Sequence, residues 1–265
     1  MMRWRLVDMH CHLDRMSNAD EVARDAARRG IAIFDTPVTP NDTCAAQEHL
    51  GHHANVRVGV GMHPWWLANG ECGANDDALA ARLASESAYI GEVGLDFGRR
   101  GGDAQELQLT AFEGICRSIA GHPLPHRVIS IHAIHSATVA LDVLERTGVI
   151  GSGAHPGTTV IFHWFSGNSN EFARARRLGC YFSVSEHMLA SKRGREYARQ
   201  TPLKRLLLET DAPPGLDAPY SARELEESLE RALEALSSLR GESGEMLRSH
   251  IAGASASILH LKETV

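Results

Sequence analysis

The stretch VDMHCHLD (7–14) ends an apolar run in two histidines one residue apart, bracketed by two aspartates. In an extended chain, residues two apart face the same way, so His10 and His12 share one side of a strand and Cys11 takes the other. Comparable β-type runs recur at RWRLVDM (3–9), IAIFDT (31–36), VRVGVGM (56–62), AYIGEV (88–93), RVISIH (127–132), TVIFH (159–163), CYFSV (180–184) and RLLLE (205–209), eight in all. Helical spacing fills the gaps, as in DAQELQLTAFEGICRSIAG (103–121) and SNEFARARRLG (169–179), the second ending in a glycine suited to close a helix. Eight alternating units in 265 residues predict an α/β fold, a (β/α)8 TIM-like barrel formed by one domain over 1–265. Neither the glycine-rich connection at 148–159 nor APPGLDAPYS (212–221) reads as an interdomain linker. The stretch 221–240 places leucines at 225, 229, 233, 236 and 239, the one-sided stripe of an outer barrel helix.

Composition narrows the function classes. With 27 Lys and Arg against 33 Asp and Glu, the net charge of −6 excludes the broad basic field of a nonspecific nucleic-acid coat. Five scattered cysteines without a C-x-x-C pair speak against both a disulfide framework and a zinc ribbon, and fit a reducing compartment. The N-terminal residues reach polar groups before a signal-type apolar segment develops, and no apolar run is long enough to span a bilayer. The expectation is a cytoplasmic protein without a membrane partner.

In such a barrel the C-terminal strand ends converge on one face, where catalytic groups sit. Those ends carry His10 and His12, then His63, Glu92, His132, His163 and Asp211. Two imidazoles and a carboxylate suit zinc, manganese or a comparable divalent ion, and His132 with His163 suits a second. Glu92, with two oxygens, can bridge two ions about 3.5–4 Å apart, the separation at which a metal pair activates one water. His63, in a turn fixed by Pro64, is read either as a ligand or as a group that orients a phosphate. Cys11 is expected to be a packed thiol. His49, His52, His53, His122, His126, His187, His250 and His260 are expected at the surface, and His135 and His155 in inert loops.

Taken together, DMHCHLD (8–14), GMHP (61–64), GEVGLD (91–96), ISIH (129–132), FHWFSG (162–167) and LLLETDAP (206–213) resemble the TatD-type metal-dependent hydrolases of the amidohydrolase-like barrels, over nearly the whole chain. The resemblance implies two divalent ions (Zn, Mn or Mg) and DNase activity, commonly 3′ to 5′ exonucleolytic on single strands or 3′ ends. It implies that His10, His12, Glu92 and Asp211 surround one ion, and Glu92, His132 and His163 the other. Asp211 would also be the general base and His63 would contact the scissile phosphate. Asp14, Asp96 and Glu209 match motif positions as supporting or turn-forming acids.

One departure stands out. Where the family usually carries an arginine two residues after the strand-five histidine, this chain has Ile134. Arg99, Arg100, Lys192, Arg193 and Arg195 are candidate substitutes on a basic rim. Two rival readings follow: an amidohydrolase-type enzyme acting on a small-molecule amide or ester, and a non-catalytic scaffold within a defence complex. ISIH, FHWFSGNSNEF (162–172) and CYFSVSEHML (180–189) are also similar to the TatD-type nuclease subunit of Qat anti-phage systems, which implies partners among other proteins of a defence operon.

Overall fold

A computed structural model describes residues 4–98, 104–215 and 217–262. Its strands are β1 (Leu6–Cys11), β2 (Ile31–Asp35), β3 (Val56–Val58), β4 (Val60–Met62), β5 (Tyr89–Asp96), β6 (Arg127–Ile134), β7 (Thr158–His163), β8 (Tyr181–Val184) and β9 (Leu206–Leu208). All pairings are parallel, in the orders β1-β2-β3 and β4-β5-β6-β7-β8-β9. The ring closes where the Asp211 N–H donates to the His10 carbonyl at 2.9 Å and the His12 N–H to the Ala212 carbonyl at 2.8 Å. The α/β TIM barrel expected from the eight strand runs is the fold observed.

Two details differ from the simple pattern. The run 56–62 is one stave in two pieces, β3 and β4, broken at Gly59, whose N–H donates to the Asp35 carbonyl at 2.9 Å. Backbones pass close on both pieces: a Cβ on Gly59 would lie 2.6 Å from the Gly91 carbonyl oxygen, and one on Gly61 1.8 Å from that of Pro37. In addition, the β1–β2 register slips between Asp8 and Cys11. Val7 and Met9 fill the inner apolar cluster with Phe34, Val128, Ile161 and Leu207, while His10 and His12 both reach the mouth.

Helices cover the outside: α1 (Ala19–Arg28), α2 (Pro40–Leu50), α3 (Pro64–Ala68), α4 (Ala74–Glu86), α5 (Gln105–Gly121), α6 (Ala137–Arg146), α7 (Ser169–Arg177), α8 (Glu186–Leu189), α9 (Lys192–Gln200), α10 (Ala222–Arg240) and α11 (Gly244–Ile258). The leucine stripe behaves as expected, with Leu225, Leu229, Leu233 and Leu236 of α10 buried and Leu239 packed at the margin. The Ser221 hydroxyl caps α10 by accepting from the Glu224 N–H, and left-handed Gly241 at φ 65° ends it. Among the described residues, no helix is long and apolar enough to cross a membrane.

Candidate metal centre

The strand ends bring the seven predicted side chains together. His10 is fully buried, with Nδ1 2.7 Å from the Ser130 hydroxyl; the His12 Nδ1 lies 2.7 Å from the Thr36 carbonyl. A carbonyl only accepts, so His12 donates from Nδ1, and its neutral form presents a lone pair at Nε2. The Nε2 atoms of His10 and His12 each lie 3.5 Å from Glu92 Oε2, and 3.7 and 3.4 Å respectively from Asp211 Oδ1. Donors held 2.0–2.2 Å from a common tetrahedral ion lie about 3.3–3.6 Å apart, and His10, His12 and Glu92 form one group able to hold a cation, with Asp211 beside both imidazoles. His10 Nε2, although buried, has no hydrogen-bond partner.

The second oxygen of Glu92 faces a different set. Oε1 lies 2.6 Å from His132 Nδ1 and 2.8 Å from His163 Nε2, and the two nitrogens are 3.3 Å apart. The far nitrogen of His132 sits 3.3 Å from Asp96 Oδ2, a carboxylate placed to fix the ring and raise its basicity. The His163 ring stacks on His10 at 3.9 Å between centroids and 9° between planes, tying the two sets together. Within β5, Gly94 at φ 145° is indispensable: a Cβ there would lie 2.0 Å from the His132 carbonyl oxygen.

His63 also reaches Glu92 Oε1, at 3.3 Å from its Nε2. Its role is decided by the other nitrogen, since Nδ1 accepts the Trp65 N–H at 3.0 Å as the N-cap of α3. A neutral imidazole with an accepting Nδ1 carries its proton on Nε2 and so donates there instead of ligating. Of the two roles left open by the sequence, this bonding favours the donor. Burial pushes His63 down to about 4, so that donor is neutral.

Charge at the site is sharply divided. Burial pushes the Glu92 carboxyl up, but the imidazoles of His63, His163, His132 and His10 prevail and hold it well below the usual range. Burial likewise opposes the charged form of His12, yet Asp211 and Glu92 push it up to about 10; Glu92 and Asp96 bring His132 to about 9. Against burial, the hydrogen bond from His12 and the charges of His163 and His10 pull Asp211 down to about 2. Without a cation, protons occupy His12 and His132, whereas burial pushes His10, like His63, down to about 4.

Supporting acids divide as well. Asp96 accepts from the Trp65 indole N–H at 2.5 Å, and Glu209 accepts from the Trp164 N–H at 3.0 Å and from the Ser183 hydroxyl. Asp8 takes the backbone N–H groups of His10 and Thr210 at 3.2 and 3.0 Å and the Thr210 hydroxyl at 2.5 Å. Asp14, in contrast, serves the turn after β1, where its N–H donates to Asp35 Oδ1 at 3.1 Å. Cys11 is fully buried and its thiol is pushed well up by burial, as expected of a packed residue.

The cavity over the centre measures about 560 Å³. His12, His63, Glu92, His132, His163 and Asp211 form one wall; Trp65, Trp66, Trp164, His187, Pro213, Pro214 and Tyr220 form much of the rest. Sequence reading missed these aromatic residues as cavity lining, and it placed His187 at the surface, where it is exposed and also lines the cavity. Only the adjacency of Trp164 to His163 in FHWFSG signals any of them. Of the basic-rim candidates, Lys192, Arg193 and Arg195 are exposed and none is among the described residues lining the cavity; Arg193 is bonded at 3.1 Å to the Ser166 carbonyl. Arg99 and Arg100 lie outside the described residues.

Comparison with known proteins gives this geometry a context. A family model described as TatD related DNase matches residues 7–260. An uncharacterised metal-dependent hydrolase of Escherichia coli (strain K12), YcfH, is 26% identical over 269 residues, covering 97% of this chain and 96% of that one. The 3′-5′ ssDNA/RNA exonuclease TatD of Citrobacter rodentium is 27% identical over 237 residues, 86% of each chain. In three dimensions the chain superposes on the crystal structure of the TatD homologue YjjV from Escherichia coli K12 with a TM-score of 0.80, at 20% identity, over 99% of this chain and 100% of that one.

Proposed function

Since the chain belongs to the TatD related DNase family, matched over residues 7–260, we propose that it is a metal-dependent phosphodiesterase that shortens single-stranded DNA from the 3′ end. The observation that carries this reading is the division of Glu92: Oε2 faces His10 and His12, and Oε1 faces His132 and His163. One carboxylate placed between two nitrogen sets is the arrangement a bridged pair of divalent ions requires. When bound, such ions would neutralise the phosphodiester and lower the pKa of a water at the site. Zinc, manganese and magnesium all suit the role, with the nitrogen-rich donor set favouring zinc or manganese.

The protein's own residues supply orientation and proton handling. Asp211, a quarter exposed and open to the cavity, holds a carboxylate oxygen where a proton from an attacking water can be taken up. The neutral His63, which lines the cavity with Nε2 3.3 Å from Glu92 Oε1, is the donor that would steady a phosphate or leaving oxygen there. His132 is held against Asp96, and Trp164 against Glu209, so both walls are fixed before substrate arrives.

Purified protein given Mg²⁺ or Mn²⁺ is expected to shorten end-labelled single-stranded DNA from the 3′ end, with loss of activity in EDTA and in His163→Ala. A metal-loaded protein that leaves DNA intact but hydrolyses an amide or ester would establish the rival small-molecule reading instead. That rival draws on Ile134 and on the absence of Lys and Arg among the described cavity residues. The scaffold reading is opposed by the retention of all six ligand candidates. The likeness to the Qat nuclease subunit would add defence-protein partners; it rests on the wording of residues 129–132, 162–172 and 180–189.

A further inference from the structure

We propose that Trp164 and His187 form a stacking subsite beside the metal centre that holds one nucleobase of the substrate, an inference that rests on the nuclease reading. Trp164 directly follows the candidate ligand His163, and its ring runs nearly parallel to that of His187, at 6.0 Å between centroids and 18° between planes. That separation is within the offset-stacked range and too small to admit a third ring between the two. The pair is therefore a continuous aromatic ledge along the cavity wall.

Three features distinguish this ledge from ordinary core packing. Core aromatics are buried, as Phe162, Phe172 and Phe182 are, whereas Trp164 is only half-buried and His187 is exposed. Trp164 adopts φ 37°, a left-handed conformation that bulky residues rarely take and that persists only where the surroundings impose it. Here the restraint is Glu209, which accepts the Trp164 N–H at 3.0 Å and is itself held by Ser183. His187 is fixed separately: Ser185 caps α8 by accepting from the Met188 N–H at 3.1 Å, and Glu186 ties α8 to α10 through Arg231 at 2.5 and 2.8 Å. Both rings are placed by bonds made elsewhere, and both line the cavity.

The opposite tryptophan does a different task. Trp65 donates its indole N–H to Asp96 and packs edge-on against His63 and His132, at 4.9 and 5.9 Å, so it braces the metal wall. The Trp164–His187 ledge is thus the flat surface best placed for a ring carried by a nucleotide whose phosphate lies at the metal wall. Stacking on a π-face tolerates any base and contributes affinity without Lys or Arg. It supplies locally what an arginine at position 134 would have supplied by charge.

The probe is 2′-deoxyadenosine 5′-monophosphate compared with 2-deoxyribose 5-phosphate, which share the phosphate and sugar and differ by the base. Binding to the zinc-loaded protein is read by calorimetry and by tryptophan fluorescence. The nucleotide is expected to bind about 10- to 100-fold more tightly and to quench fluorescence. Trp164→Leu should erase that preference, leave the sugar phosphate affinity unchanged and keep full metal content, while Trp164→Phe retains most of it; His187→Ala should weaken it. Equal affinity for the two ligands in the native protein, or an undiminished preference in Trp164→Leu, overturns the proposal. A base preference without DNA cleavage would remove the nuclease reading and keep the subsite; cleavage without a base preference would do the reverse.

Discussion

The two walls of the cavity are built by opposite means. On the metal wall, six polar side chains, with His10 buried behind them, stand at or just beyond barrel strand ends, where backbone pairing fixes their positions and burial makes each charge depend on its neighbours. The aromatic wall is assembled from connections: Trp65 and Trp66 on α3, Trp164 after β7, His187 on α8, and Tyr220 before α10. The first is suited to electrostatics that must not move, the second to contacts that depend on shape and area. Chemistry and recognition are thus separable in this cavity, and substitutions on each wall should show different kinetic signatures.

The largest effect is expected at the shared carboxylate. Glu92→Gln keeps shape and volume but removes the negative charge that the imidazoles of His10, His63, His132 and His163 face. We expect a fall in kcat on the order of 10³-fold or more, with an unchanged fold by circular dichroism and reduced metal content by atomic absorption. A variant with wild-type turnover at matched metal content would sink the bridging assignment, and the contrast between the walls with it.

Next in size is the effect of pH on metal uptake. In the metal-free protein His12 is raised to about 10 and His132 to about 9, so both carry protons between pH 6 and 8, and an entering ion must displace them. Apparent affinity should rise with pH, about tenfold per unit for each proton released, and level off only above those values. The sign for folding is the reverse. A raised histidine contributes stability that is fully present below its unfolded value of about 6.5 and is lost as pH rises through its folded value. Alkaline conditions should therefore weaken the metal-free protein while tightening its grip on metal. Proton release by calorimetry in buffers of different ionisation enthalpy checks the first; thermal melts with and without EDTA check the second. Uptake that is flat from pH 6 to 8 would show that the ligands bind metal from a neutral state.

These differences also explain what was legible in the sequence. The barrel could be read because eight β-type runs recur with helical segments between them, and the metal wall because its residues stand at the ends of those runs. His10 and His12 follow from two-residue spacing alone, even though the register slip after Asp8 was hidden. The crowding at Gly59 was hidden because it involves the Gly91 backbone, a contact between segments far apart in sequence. Trp164 and His187 are 23 positions apart and meet only because β7 and β8 are neighbours, so no periodicity announces them. Nor could the roles of Asp14 and Asp96 be told apart, since both sit in acidic motifs and only one reaches a ligand candidate.

A smaller and sharper test addresses the support behind the metal wall. Asp96→Asn removes the negative charge that faces His132 while leaving a side chain that can still meet the Trp65 indole. The expected loss is about 10- to 100-fold in metal affinity or activity, carried by kcat and metal content, with little change in KM. A change confined to KM would mean that Asp96 acts through Trp65 on the substrate side, and the two walls would not be separable after all.

The smallest effect should come from the outer basic groups. Arg193 is exposed, donates to the Ser166 carbonyl and is not among the described residues that line the cavity, so the bond it makes is to the protein's own backbone. Each phosphate neutralised by a basic side chain would add about 0.7 to the slope of log affinity against log salt for a single strand. Arg193→Ala should leave that slope unchanged and alter kcat/KM by less than about twofold, since an exposed charge away from the reacting groups contributes little. A slope that drops by a full phosphate contact would return the basic rim to the binding surface. Recognition would then depend on charge as well as stacking, and the aromatic wall would lose its claim to be the main means by which this site holds a strand.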